Sequence, residues 1–384
     1  MNGGLMDTRM SVIVIVAVSM VSAIGGLVFN TMPLLVQSLG ESLSLSIASL
    51  GNLSLVAGIG YLIGTLSGPF WVDKFNWRLE ALVVSVLAAG SFVVSAHSAG
   101  AMLYVTWASF GFFCALMHAL CMRILAEAPE PEFAYGVRLS VELVTISALL
   151  FALPVYFMAQ YGYMGAAYGL AGFVILLGLG AFLMPARATS AQAAEITGYP
   201  SWNDAGPAYL ALAIFGVYLL ANVGLWIFLA VIAGKFEPNP EEFSLMFSVL
   251  KVLGGVAGIL GALIGVRLGL RVPHIVCFAL LAAGVFGLWQ SETFMQFMIA
   301  SWVWEFGFTL GCLYQTAAVA RLDPSNKLVV LVTTAFGISI LAGGWLAGQI
   351  LERFDAPSLY AVVVLAALGA MAFYLLKTES QEAI

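Results

Sequence analysis

Charge is what this 384-residue sequence has least of: Asp, Glu, Lys and Arg together make up 9% of it. Soluble domains average about 25% charged residues, so a water-facing surface cannot be assembled from this chain. Cysteine is limited to Cys114, Cys121, Cys277 and Cys312, all inside apolar runs, and there are three histidines. Neither a disulfide framework nor a metal site is indicated, and no cofactor is implied. A phosphate-binding Gly-x-x-x-x-Gly-Lys-Ser/Thr loop is missing, which disfavours a nucleotide-driven pump. No His-Glu-x-x-His or paired-histidine pattern supports a membrane-embedded enzyme. The formal charge of −6 carries no basic stripe, so nucleic acid is not an expected partner.

What is present is apolar length. Hydrophobic residues make up 62% of the chain, and the mean hydropathy is +1.03. Apolar runs at 10–37, 45–70, 79–97, 100–126, 134–159, 163–184, 207–233, 242–266, 272–290, 295–321, 326–352 and 356–377 predict twelve helices. Each can cross a hydrocarbon core of ~30 Å, which needs about 20 residues. The first run, with Val21-Ser22-Ala23 inside it, is too long for a cleaved signal core. Of the fourteen Lys and Arg residues, eleven fall on one side of these crossings, Lys235 and Arg353 on the other, and Lys251 inside. By the positive-inside rule both termini are cytoplasmic in a multi-pass cytoplasmic (inner or plasma) membrane protein.

The chain also repeats itself. Pro69 to Leu79 is a charged turn between two apolar runs, with Asp73, Lys74 and Arg78. At an offset of 193 residues Ala262 to Arg271 is another, with Arg267 for Lys74 and Arg271 for Arg78. At the same offset Glu130-Pro131 returns as Asp323-Pro324 and Tyr161 as Phe354. These matches predict two similar six-helix halves, 1–184 and 207–384, joined by a polar linker at 185–206.

Two six-helix halves, a long middle loop and a charged turn after the second and eighth helices resemble the major facilitator superfamily, over the whole chain. The family turn reads Gly-x-x-x-Asp-Arg-x-Gly-Arg-Arg; this chain matches at Asp73, Lys74 and Arg78, with Pro69 and Asn76 where glycines are usual. The second copy keeps Arg267, Gly269 and Arg271 and has Val266 in place of the acid. The resemblance implies an all-α membrane protein of two pseudo-repeated six-helix bundles. It also implies a cytoplasmic gate in which Asp73 approaches the start of the eleventh helix, with Lys74, Arg78, Arg123, Arg267 and Arg271 around it. An anion at a helix start is favoured by ~0.3–1 kcal/mol. The family's drug antiporters carry an Arg in the fourth helix where this chain has Trp107, and a Gly-Pro motif in the fifth where it has Ala152-Leu153-Pro154-Val155.

Ionisable residues inside apolar runs mark candidate sites, because a charge at mid-bilayer costs at least ~2.5–3.5 kcal/mol. Glu305 and Lys251 lie near mid-depth in the tenth and eighth helices, and Arg138 and Glu142 are one turn apart on the fifth. Glu305 with Lys251 is the expected proton-carrying pair, and Arg138 with Glu142 the expected structural pair. His118 shares a helical face with Trp107, Gly111 and Cys114. Asn30 and Asn222 are the polar breaks in the first and seventh helices. In the family fold the first, fourth, seventh and tenth helices line the cavity, so the resemblance puts Glu305, Asn30, Asn222, His118 and Trp107 there.

The function expected from the resemblance is secondary active transport of a small organic molecule by alternating access, coupled to protons. The scarcity of fixed charge points to a neutral, amphipathic or monoanionic substrate. The chain is expected to act as a monomer in membrane lipid. A transport-inactive sensor or scaffold is the alternative.

Overall fold

The computed structural model describes residues 11–128, 131–187, 200–264, 271–323, 328 and 331–382. Within them the chain is helical, and eleven segments are long and apolar enough to cross a membrane. One of these, Ala134–Leu183, spans 50 residues and holds a turn at Gly162, whose φ of 54° only glycine adopts without strain. It is therefore two crossings, which makes twelve. We label them α1 (Val12–Asn30, continued as Met32–Leu43), α2 (Ile47–Ser67), α3 (Trp77–Ser95), α4 (Ala101–Leu125), α5 (Pro131–Ala152) and α6 (Ala159–Gly178). The rest are α7 (Trp202–Ala233), α8 (Pro240–Ile264), α9 (Arg271–Gln290), α10 (Phe294–Leu322), α11 (Leu331–Arg353) and α12 (Ala356–Glu382).

Local chemistry sets the ends. Asn76 accepts the Arg78 and Leu79 amides to start α3, and Thr293 with Gln296 forms a capping box at α10. Asp355, outside the crossings, accepts the amide and hydroxyl of Ser358 at the start of α12. Those two bonds hold its carboxyl below the ordinary range.

Two elements differ from the sequence reading. α1 does not stop near residue 37 but bends at Thr31 and continues to Leu43, because Pro33 lies in the first turn of the second piece, where its missing N–H costs nothing. α5 does not end as a regular helix: Leu153–Met158 widens to a π-helix at Pro154. Proline cannot donate the i→i−4 bond, and a wider turn absorbs that loss.

The packing repeats after six helices. α1 packs on α4 and α5, α2 on α4, and α3 on α4 and α6; α7 packs on α10 and α11, α8 on α10, and α9 on α10 and α12. The two groups of six meet through α2 with α11, α5 with α8, and the second piece of α1 with α7. Glycines permit the close approaches, as expected where apolar surface against lipid gives helices little reason to associate. A Cβ at Gly60 would collide with the Ala108 carbonyl within the first group, and one at Gly58 with Leu341 between groups.

We call the side carrying residues 71–76 the turn side and the opposite one the far side. Contacts of α2 with α11 run from the far end, where the Ala48 amide donates to Glu352 Oε2 at 3.1 Å, through Gly51 with Gly348 and Ser54 with Gly344 to Gly58 with Leu341. The tight part of this seam lies in the far half and middle of the span, loosening to an ordinary van der Waals approach at Leu62 with Gly337. The two glycines are therefore expected to respond differently to alanine. G60A should lower thermal stability by ~1–3 kcal/mol, the usual cost of overpacking. G58A should instead open the far side, seen in detergent-purified protein as increased labelling of cysteines introduced along α2 at little cost in melting temperature.

Candidate functional site

Glu305 on α10, Lys251 on α8 and Glu142 on α5 each lie about eleven residues into their helices, ~16 Å at 1.5 Å per residue. That depth is near the middle of a ~30 Å core, and all three are buried. Lys251 Nζ stands 3.4 Å from Glu305 Oε1, with only 4% and 6% of the two side chains exposed. The same ammonium lies 3.7 Å from the centre of the Trp226 ring and 5.2 Å from that of Phe29. Desolvated cation–π contacts of this kind contribute about 2 kcal/mol or more. The Trp226 indole N–H donates to the Phe29 carbonyl at 2.7 Å, tying α7 to α1. Gly254 leaves the room that Glu305 occupies: its Cβ would stand 3.1 Å from Glu305 Oε1.

The second pair faces the first across the seam. Arg138 donates from Nη2 to Glu142 Oε2 and from Nε to Ser22 Oγ of α1 at 2.9 Å. Glu142 Oε1 occupies the space a Cβ would take at Gly26. Asn30, one turn on, donates to the Gly26 carbonyl at 3.0 Å. Two cations and two carboxylates thus sit at the seam, drawn from α5, α8 and α10, with α1 and α7 supplying the rings and small residues around them. Next to them Ser147 Oγ of α5 and Ser248 Oγ of α8 are 2.8 Å apart.

The remaining sequence candidates are dispersed. Asn222 donates to the Tyr218 carbonyl at 2.8 Å and accepts the Trp304 indole N–H at 2.9 Å, joining α7 to α10 one turn from Trp226. His118 packs its Cβ against Gly25 of α1 and its ring near Tyr61 of α2; its Nδ1 is buried without a hydrogen-bond partner. Trp107 lies apart from the ion pairs. It donates to the Tyr163 hydroxyl at 3.0 Å, which is also 2.9 Å from Ser95 Oγ, so it links α4 to α6 and α3.

At the turn side Asp73 pairs with Arg123 Nε at 3.1 Å, and Arg123 Nη1 reaches Glu127 Oε1 at 3.0 Å and lies over Trp77. Lys74 is exposed, and Arg78 Nε donates to the Met184 carbonyl. Arg271 opens α9, half-buried. Arg267, most of the segment leading into α11 (324–327, 329–330) and the middle of the linker (188–199) lie outside the described residues. Phe29, Trp226, Ser22 and the Ser147–Ser248 contact were not anticipated. The one available signal was spacing: Trp226 follows Asn222 by four residues and so shares its face of α7.

Removing one partner of a buried pair leaves an uncompensated charge and costs ~3–5 kcal/mol, whereas replacing both with apolar groups is often neutral. K251M should therefore lower thermal stability in detergent by about that amount, and K251M/E305L should regain most of it. A K251M protein as stable as wild type would show that the pair holds no strong interaction.

Neither a family model nor a curated protein matches the chain, but solved structures do. A bacterial homologue of the human lysosomal transporter Spinster, inward-facing and occupied, is 14% identical with a TM-score of 0.70 over 95% of this chain and 96% of its own. The nucleoside transporter NupG is 13% identical with a TM-score of 0.76 over 94% of this chain and 99% of that one. The xylose transporter XylE from E. coli, partially occluded and inward-open, is 15% identical with a TM-score of 0.65 over 94% of this chain and 98% of its own. Twelve crossings, packing that repeats after six helices, and end-to-end likeness to these three structures give the chain the fold of the major facilitator superfamily.

Proposed function

We propose that the protein is a secondary active transporter that moves a small organic molecule by alternating access, with proton coupling through Glu305 and Lys251. The observation that carries this is the buried Lys251–Glu305 pair at mid-depth, beside the seam between the two groups of six helices and touched across it by Phe29. Ionisable groups held at that depth mark ion and substrate pathways. An ion pair that meets a mobile seam gives protonation a means to alter how the groups of helices fit together. The three structural likenesses are to proteins described as transporters, and a further one, at 14% identity and a TM-score of 0.69, is to a D-xylose–proton symporter.

In this reading the turn side is cytoplasmic, with both termini, a placement supported by the excess of basic residues there. The far side is then the outside, and the α2–α11 seam is an outer seal, so the form described is inward-facing. Asp73, Lys74, Arg78, Arg123, Arg267 and Arg271 form the cytoplasmic gate in this account. In the inward-facing form Asp73 is held by Arg123 within its own group of helices, available to the start of α11 when that side closes. Asn30, Asn222 and His118 are the polar groups through which the central path would contact substrate. With Arg138 matched by Glu142 and Lys251 by Glu305, the path offers no surplus of cations. The substrate is accordingly neutral, amphipathic or monoanionic, and the halves 1–184 and 207–384 act as the two moving bodies joined by 185–206.

Thermal stability of the detergent-purified protein, measured with a panel of pentoses, nucleosides and amphipathic monocarboxylates at roughly pH 5.5 and pH 7.5, tests this. A ligand at ~100 times its Kd stabilises the fold by about 2.7 kcal/mol. One chemical class is expected to stabilise wild type to a pH-dependent extent, with E305Q binding it equally at both pH values. Equal pH dependence in both proteins would remove Glu305 from the coupling. Strong stabilisation by a dicarboxylate or a phosphate ester would overturn the substrate class.

A further inference from the structure

Lys251 stands between two carboxylates, and only one of them now holds it. α5 and α8 run antiparallel, in contact at Ser147 and Ser248. On α8, Lys251 lies three residues from Ser248 toward the turn side; on α5, Glu142 lies five residues from Ser147 in the same direction. Counting away from the serine contact along two antiparallel helices brings position 251 level with 144, within a helical turn of Glu142. Leu143 packs where a Cβ of Gly255 would be, at 3.0 Å, so the helices remain in touch beyond that level. On the α1 side, Gly26 leaves the room that the Glu142 carboxylate itself fills.

The charged groups around the Lys251 ammonium are Glu305 from α10 and Glu142 from α5, with Arg138 held by Glu142; α7 and α1 present the Trp226 and Phe29 rings. At 3.4 Å the bond to Glu305 is long for a charge-assisted one, which usually measures ~2.7–2.9 Å, and the ammonium sits close over a ring face. Such an arrangement can be released without first stripping a tight shell of donors and acceptors.

We infer, on the strength of the transporter reading above, that Glu142 is the second partner of Lys251. When Glu305 takes a proton, the ammonium passes from Glu305 on α10 to Glu142 on α5 and draws α8 onto α5 on the turn side. The exchange moves no proton on Lys251. Glu305 gains one and becomes neutral, Lys251 keeps its charge, and Glu142 holds two cations, Arg138 and Lys251. A contact within one group of helices becomes a contact between groups, and this is what couples protonation to which side is open. Glu142 and Arg138 are then coupling residues as well as a structural pair.

Electron–electron distance measurements test this without a known substrate. Spin labels at A99C and E292C, both exposed on the far side and one in each group of helices, would be placed in a protein whose four native cysteines are replaced by alanine, in lipid nanodiscs. At roughly pH 8.5 wild type should show mainly the short far-side distance, and at roughly pH 5.5 a second, longer one. E305Q, which fixes the neutral state of that carboxyl, should favour the longer distance at both pH values by at least ~tenfold in population. E142Q should abolish that shift in the E305Q background, and E142D should restore it; a residue that only holds the fold together would lower the melting temperature in E142Q without touching the shift. Two populations that E305Q redistributes equally with and without Glu142 would overturn the exchange and leave the transporter reading standing. A single distance under every condition would overturn both.

Discussion

A charge in hydrocarbon costs more than most single contacts in a protein return, and four of them at the central seam must therefore be matched locally. That requirement orients three helices at once. α8 must aim Lys251 and α10 must aim Glu305 at one point, and α5 must turn Arg138 and Glu142 toward α1. The small residues follow from the same need: Gly26 and Gly254 leave the volume that the two carboxylates fill. Aromatic rings complete the shell, since the Trp226 and Phe29 faces supply the negative electrostatic surface that a lysine with one carboxylate still lacks.

Around this centre the two groups of six helices are joined by contacts of different character. The α2–α11 seam is built from glycine against backbone, with one amide–carboxylate bond at its far end. The α5–α8 seam is polar, with serines facing each other and charges one turn away. A glycine seam separates or closes with little rearrangement of side chains, whereas a seam that carries ion pairs changes its energy when a proton arrives. Under the proposed function, placing one kind on α2–α11 and the other on α5–α8 would let a chemical event in the middle govern a mechanical one at the end. The π-helical turn at Leu153–Met158, at the far end of α5, is a compliant point in the helix that would have to move.

Much of this was legible in the sequence because the sequence is so poor in charge. With 9% charged residues, each Lys or Glu inside an apolar run stands out, and depth along a helix follows from counting; counting alone pairs Lys251 with Glu305. The repeat at an offset of 193 residues anticipated packing that recurs after six helices. Aromatic residues gave no such signal. Phe29 and Trp226 are two among many apolar side chains, and only the crossing of α1, α7 and α8 shows that they enclose an ammonium. Trp107 shares a helical face with His118 by spacing, but that face spans several neighbours: one end binds Tyr163 of α6 and the other packs on α1. Spacing places a residue on a face and is silent about which helix lies opposite. The length of α1 differs for another reason: the apolar run ends near Gln37, but the helix continues through the polar Gln37, Ser38, Gly40, Glu41 and Ser42 to Leu43.

The central claim is that protonation of Glu305 decides the fit of the two groups of helices. Infrared difference spectroscopy during a pH titration in lipid measures it most directly, because a neutral carboxyl has a carbonyl stretch that a carboxylate lacks. The account predicts one protonated-carboxyl band that is absent from E305Q and grows over the same pH interval in which the far side opens in wild type. A far side that opens while Glu305 remains ionised throughout, or a Glu305 band that is present at every pH, would contradict it.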